Sequence, residues 1–95
     1  MKKTYLIVLT PDQGGYVVYI PDFDANTEGD TVAEAIEMAR DVIGLLGIDC
    51  EDEGKELPQP SDAAINMVDG DTMIFVDVDF SEYRCRHDNY YESNQ

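Results

Sequence analysis

The sequence predicts an α+β fold: a three- to four-stranded, mainly antiparallel sheet in the order β-β-β-α-β, with one main helix packed on one face. Three observations carry this prediction. Two β-rich runs flank a glycine-containing turn near the start of the chain. One long amphipathic helical pattern follows, and a strand with strict apolar alternation comes after it. A sheet and a helix that each have one apolar side bury those sides against each other, which leaves the other sheet face, with its Tyr side chains, for water or a partner.

Tyr5 to Thr10 is the first β-rich run. Pro11-Asp12-Gln13-Gly14-Gly15 has turn chemistry, because Pro presets φ and Gly admits positive φ. Tyr16-Val17-Val18-Tyr19-Ile20 is the second run, and two such runs across a short glycine-containing loop form a hairpin. Pro21 has no N–H to give to a ladder, so it is expected to end that strand or to sit on an edge. Asp24 to Glu28 is polar and is read as a short third strand on a weak signal.

Residues 31 to 47 carry the helix. Thr31 and Glu34 have capping-box spacing, with the Thr hydroxyl accepting from the backbone three residues on. Val32, Ala35, Ile36, Ala39, Ile43 and Leu46 recur at three- and four-residue steps and form one apolar stripe. Glu37 and Asp41 repel each other four residues apart, and Arg40 partly offsets this. Gly44 and Gly47 weaken the last turn, and Gly47 is the expected C′ residue. Asp49 to Pro60 is then an acidic connection in which two prolines hold the chain extended. Ser61 is expected to cap a short turn of helix over Asp62 to Asn66, and Asp69-Gly70-Asp71 to form a turn. Thr72 to Phe80 reads as a strand with Ile74, Val76, Val78 and Phe80 on one face and Met73, Phe75, Asp77 and Asp79 on the other. From Ser81 the chain is polar, and it is expected to fray beyond Arg86. This divides the sequence into a folded domain, 1–86, and a polar tail, 87–95. There is no internal repeat.

Length and charge narrow the function. Ninety-five residues suit one domain with a modest core. Twenty-one acidic residues against six Lys and Arg give a net charge of −15. Such a chain repels phosphate backbones and anionic lipid, so neither direct nucleic-acid binding nor membrane association is expected of it. It attracts basic partners and speeds their encounter; the same charge also serves solubility. The basic, apolar start is too short for a signal peptide, and Pro11-Asp12-Gln13-Gly14 stands where a small-residue cleavage site would be. No apolar stretch approaches the roughly 20 residues that span a bilayer. Cys50 and Cys85 are too few for a disulfide framework and read as reduced thiols of a cytoplasmic protein.

The abundance of carboxylates requires that an enzyme be considered. Asp22, Asp24, Glu28 and Asp30 follow the second strand; a metal-dependent nuclease would need such acids to converge on an ion, and a solvated acidic loop is the simpler reading. Asp77 and Asp79 share a strand face, but two carboxylates alone make a weak cation site. Asp49-Cys50-Glu51-Asp52-Glu53-Gly54 has the opening of an EF-hand loop, yet Pro60 stands where the bidentate Glu of position twelve belongs. Cys85 and His87 lack the further ligands of a zinc site and the held geometry of a nucleophile–base pair. No nucleotide-binding or hydrolase motif is present. The expectation is a protein without catalytic residues, metal or cofactor. Tyr5, Tyr16, Tyr19 and Phe23 are equally good strand residues and interface anchors.

Gly15-Tyr16-Val17-Val18-Tyr19-Ile20-Pro21-Asp22-Phe23, followed by Glu28-Gly29-Asp30-Thr31-Val32-Ala33-Glu34-Ala35-Ile36, resembles the core signature of the HicB antitoxin family. Leu57-Pro58-Gln59-Pro60-Ser61 resembles that family's proline-rich connection, and Val76-Asp77-Val78-Asp79-Phe80-Ser81-Glu82-Tyr83-Arg84 its last strand and exit. The resemblance covers residues 3 to 86. It implies a partial ribonuclease H-like fold without that enzyme's full set of carboxylates. It also implies a partner: a HicA-type toxin, a small basic messenger-RNA ribonuclease whose RNA-binding surface the acidic protein covers. Tyr19, Asp22, Phe23, Asp24, Glu28 and Asp30 are the expected contact residues, the acids pairing with Lys or Arg and the aromatics anchoring. Pro21, Gly29 and Thr31 are expected to shape the scaffold. Many family members continue into a DNA-binding domain that drives dimerisation; the tail Asp88 to Gln95 has no basic helix, so operator binding is not expected of this segment. A homo-oligomer, dimer or tetramer, is expected. The competing readings are a stand-alone homo-oligomeric module for some other basic protein or small ligand, and a residual metal-dependent nuclease.

Overall fold

β1 (Lys2–Asp12) is the central spine. In the computed structural model, which describes residues 2–60 and 68–84, it is followed by β2 (Gly15–Ile20), a 3-10 turn (Pro21–Phe23), β3 (Ala25–Gly29), α1 (Val32–Asp52) and β4 (Thr72–Asp79). The strands form one sheet in the order β3-β2-β1-β4, and every neighbouring pair is antiparallel. The α+β architecture read from the sequence is therefore present, and its weakly signalled third strand is real.

The β1–β2 hairpin closes from the Asp12–Gly15 pair across Gln13 and Gly14, whose φ angles are 49° and 85°. Positive φ at both central residues is what a type I′ turn requires, and its twist matches that of the strands. At the head of α1, the Thr31 hydroxyl accepts from the Glu34 N–H at 3.0 Å, as the capping spacing predicts.

The far end of α1 departs from expectation. The helix does not stop at Gly47 but runs on to Asp52. Gly44 and Gly47 are packing positions. A Cβ at Gly47 would lie 2.2 Å from the Phe80 ring, and one at Gly44 would lie 2.5 Å from the Tyr83 ring. The missing side chains let the chain after β4 press against the helix. The true stop is Gly54, at φ 73°. The Gly54 N–H donates to the Glu51 carbonyl at 3.0 Å, and the Lys55 N–H to the Cys50 carbonyl at 2.8 Å. This pair of bonds is a Schellman closure, and it needs a residue at ease with positive φ.

β4 also ends differently. Phe80 begins a helical stretch, residues 80–84, where a strand end and a polar tail were expected. The Asp79 carboxylate accepts the Ser81 N–H at 3.0 Å and so caps that stretch. The turn expected at Asp62 to Asn66 with its Ser61 cap, and the fraying expected beyond Arg86, lie outside the described residues.

The core lies between α1 and one sheet face. Tyr5, Ile7 and Leu9 of β1, Val18 and Ile20 of β2, and Val76 and Val78 of β4 meet Ala35, Ala39 and Ile43 of the helix, all fully or almost fully buried. The Tyr5 ring sits edge-on to Phe23 and Phe80, with centroids at 5.0 and 6.2 Å. Its hydroxyl donates to the Pro58 carbonyl at 2.6 Å, which ties the Leu57–Pro58 segment over the sheet. Burial, with smaller contributions from Asp22 and Cys50, pushes the pKa of that hydroxyl up to about 12.

Candidate partner-binding surface

The 3-10 turn determines how Asp22, Phe23 and Asp24 are presented. Pro21 supplies the fixed φ at its start. Asp24 closes it at φ 47°, its N–H donating to the Pro21 carbonyl at 3.2 Å. Asp is among the residues that accept this left-handed conformation at modest cost. The turn directs Phe23 inward onto Tyr5 and leaves Asp24 exposed.

Facing the turn is the last part of α1. Together they enclose an open groove of about 470 Å³, lined on the turn side by Pro21, Asp22, Phe23 and Asp24 and on the other by Leu46, Asp49, Cys50, Glu53, Lys55 and Pro58. Four carboxylates therefore surround a partly apolar floor. The cation among them, Lys55, lies 3.0 Å from Glu53, and this hydrogen bond raises its pKa. The backbone adds to the negative potential, because a helix C-terminus carries about half a negative charge. The last turn of α1 has no basic residue. Asp49, Glu51 and Asp52 sit there against the dipole, each at a cost on the order of 0.3–1 kcal/mol. Arg84 offsets two of them, 2.9 Å from Asp52 and 3.8 Å from Glu51. This arrangement suits Lys or Arg side chains arriving from outside.

The six residues singled out in the sequence do not form one cluster. Asp22, Phe23 and Asp24 line the groove, and the Tyr19 hydroxyl reaches the Asp24 carboxylate at 3.5 Å. Glu28 and Asp30 lie at the other end of β3, roughly 13 Å away along the strand. There they border a second open depression of about 440 Å³ together with Asp12 and Glu34. Asp49 and Glu53 were missed because the helix was expected to end before them; the Gly54-Lys55 stop that places Asp49 on α1 and Glu53 at its C-cap was there to be read.

Among the described residues, no three or more His, Cys, Asp or Glu are grouped so as to hold a metal ion. Asp77 accepts the Thr4 hydroxyl, and Asp79 caps the stretch after β4. The EF-hand-like segment from Asp49 is helical up to Asp52. Cys50 is a half-buried free thiol, while Cys85 and His87 lie outside the described residues. Among the described residues, no helix is long and apolar enough to cross a membrane.

No protein-family model matches the chain. Two curated proteins do: Antitoxin HicB of Escherichia coli K12 and Antitoxin HicB of Escherichia coli O157:H7. Each is 47% identical over 60 residues, covering 60% of this chain and 43% of theirs. The chain thus spans less than half the length of the curated relatives it matches. Among solved structures, a chain of a toxin–antitoxin complex from Streptococcus pneumoniae has the same fold, with a TM-score of 0.74 at 27% identity over 87% of this chain and 73% of that one. The likeness to HicB read from the sequence holds in the curated relatives, and the solved neighbour is a chain of a toxin–antitoxin complex.

Proposed function

We propose, from the premise that this chain is HicB-like in sequence and shares its fold with a chain of a toxin–antitoxin complex, that it acts as an antitoxin. Its partner on this reading is a HicA-type toxin, a small basic ribonuclease, and its site of action is the cytoplasm, where that toxin meets messenger RNA. The protein performs no chemistry of its own. It occupies the cationic surface that RNA phosphates would use and competes with them electrostatically.

The observation that carries this reading is the acidic groove between the 3-10 turn and the end of α1. A helix that closes on acids without a basic residue in its last turn gives up stability locally. A cationic partner restores it. The net charge of −15 extends the attraction and favours fast, salt-sensitive association. The likeness to proteins named as antitoxins, and to a chain of a toxin–antitoxin complex, supports a toxin as the partner. Asp22 and Asp24, with Asp49 and Glu53, would pair with Lys or Arg, and Phe23 and Tyr19 would stiffen the site. Glu28 and Asp30, with Asp12 and Glu34, form a second acidic patch for the same partner.

The test is co-expression with the basic reading frame beside the gene. Growth arrest by that frame, relieved by this chain, is the expected result; arrest that persists contradicts the reading. The double reversal Asp22→Lys and Asp24→Lys is expected to weaken the complex by about 2 kcal/mol or more in calorimetry. Unchanged affinity would remove the groove from the contact.

A further inference from the structure

The sheet face turned away from α1 has no layer over it among the described residues. The antiparallel registers direct Leu6 and Val8 of β1, Val17 and Tyr19 of β2, and Met73 and Phe75 of β4 to this face. Leu6 and Val8 are buried by their neighbours, but Phe75 is 63% exposed, Met73 39%, and Tyr19 and Val17 37% each. These side chains adjoin across the strands, since Phe75 pairs with Leu6, and Val8 with both Met73 and Tyr19. Exposed apolar side chains gathered in this way mark an interaction surface rather than scattered surface residues.

Acids frame this apolar centre. Asp77 lies across from Thr4 and accepts its hydroxyl, and Asp71 accepts the Thr10 hydroxyl at 2.7 Å. Glu28 lies across from Val17, and Asp24 accepts from Tyr19. Among the described strand residues, the cation on this face is Lys2, opposite Asp79 at one corner.

This charge pattern decides between occupants. Two copies meeting face to face would bring like frames together, each on a chain of charge −15, with little but Lys2 to answer them. A nucleic acid or an anionic membrane is repelled by the same frame. A protein face that sets apolar side chains inside a border of Lys and Arg meets both the centre and the frame. We infer that the open face is the apolar anchor of the cationic partner's binding surface and that Phe75 and Met73 carry it. The inference rests on the antitoxin reading and adds to it a surface on which aromatic and Met side chains, enclosed by polar residues, concentrate the binding energy. Tyr19 connects the two regions, because the ring on this face reaches Asp24 at the groove lip.

The experiment uses the full chain and, as the toxin, the basic protein encoded beside its gene. Affinity is measured by calorimetry for the wild type, Phe75→Ser, Met73→Ser and the outer-helix control Leu45→Ser, whose site is 48% exposed. Thermal melting of each variant confirms folding, and light scattering without toxin gives the mass. Phe75→Ser is expected to weaken binding at least about tenfold and Met73→Ser by less, with Leu45→Ser close to wild type and the free mass unchanged. Wild-type affinity in both sheet-face variants, alongside weakened binding by Asp22→Lys and Asp24→Lys, overturns the inference and leaves the antitoxin reading standing. A free wild-type oligomer that Phe75→Ser divides also overturns it, since the face would then belong to a second copy. Absence of any wild-type binding overturns both.

Discussion

The two faces of the sheet are built from the same strands and serve opposite ends. On the α1 side, Tyr5, Ile7, Leu9, Val76 and Val78 are closed over by helix and sheet. On the other side, Met73 and Phe75 of β4 remain open, Phe75 the more so. The central strand hides this difference, because Tyr5 to Leu9 are all buried whichever way they point. The more peripheral β4 displays it as clean alternation. An apolar residue on a central strand therefore says little about which face is covered, whereas the same residue on an outer strand says much.

The sharpest way to break the comparison is to truncate one aromatic on each side. Phe80, 2% exposed against Gly47, is expected to cost about 3–5 kcal/mol on replacement by Ala. Phe75→Ala should stay within about 0.5 kcal/mol. Urea denaturation of the two variants measures both; equal losses would mean that the open face is part of the core.

A smaller effect sharpens the account of the helix side. Gly47→Ala introduces a Cβ into the Phe80 ring and is expected to destabilise by about 1–3 kcal/mol, despite the better helix propensity of Ala. A stabilised Gly47→Ala protein would show that the close approach of Phe80 to α1 is not needed.

The smallest effect concerns Tyr5, whose hydroxyl bond to Pro58 closes the core. Tyr5→Phe should cost about 0.5–1.5 kcal/mol near neutral pH. The folded state holds this phenol protonated, raising its pKa from 10.0 to about 12. Its contribution is therefore complete below pH 10 and is lost as the pH rises towards 12. Denaturation midpoints followed across that alkaline window should fall more steeply for the wild type than for Tyr5→Phe; parallel curves would contradict the assignment.

What the sequence disclosed and what it withheld differ in range. The hairpin, the Thr31 cap and the two faces of β4 depend on neighbours a few residues away, and each was legible. The end of α1 was not. Gly44 and Gly47 look like helix-breakers until Tyr83 and Phe80 are packed against them, and that contact joins distant parts of the chain. The same error hid Asp49 and Glu53 from the groove. The six expected contact residues lie within one short stretch of sequence, but β3 is extended and carries Glu28 and Asp30 away from Asp22 and Asp24. Proximity along a strand is not proximity in a site.

The central claim is that a cationic ribonuclease is silenced by being covered. It is tested most directly by titrating this protein into the basic protein encoded beside its gene while following cleavage of a messenger RNA. Cleavage should fall to background at a fixed molar ratio and recover in part as salt is raised, as expected if ion pairs supply part of the affinity. Cleavage that continues undiminished at saturating protein in low salt would contradict it.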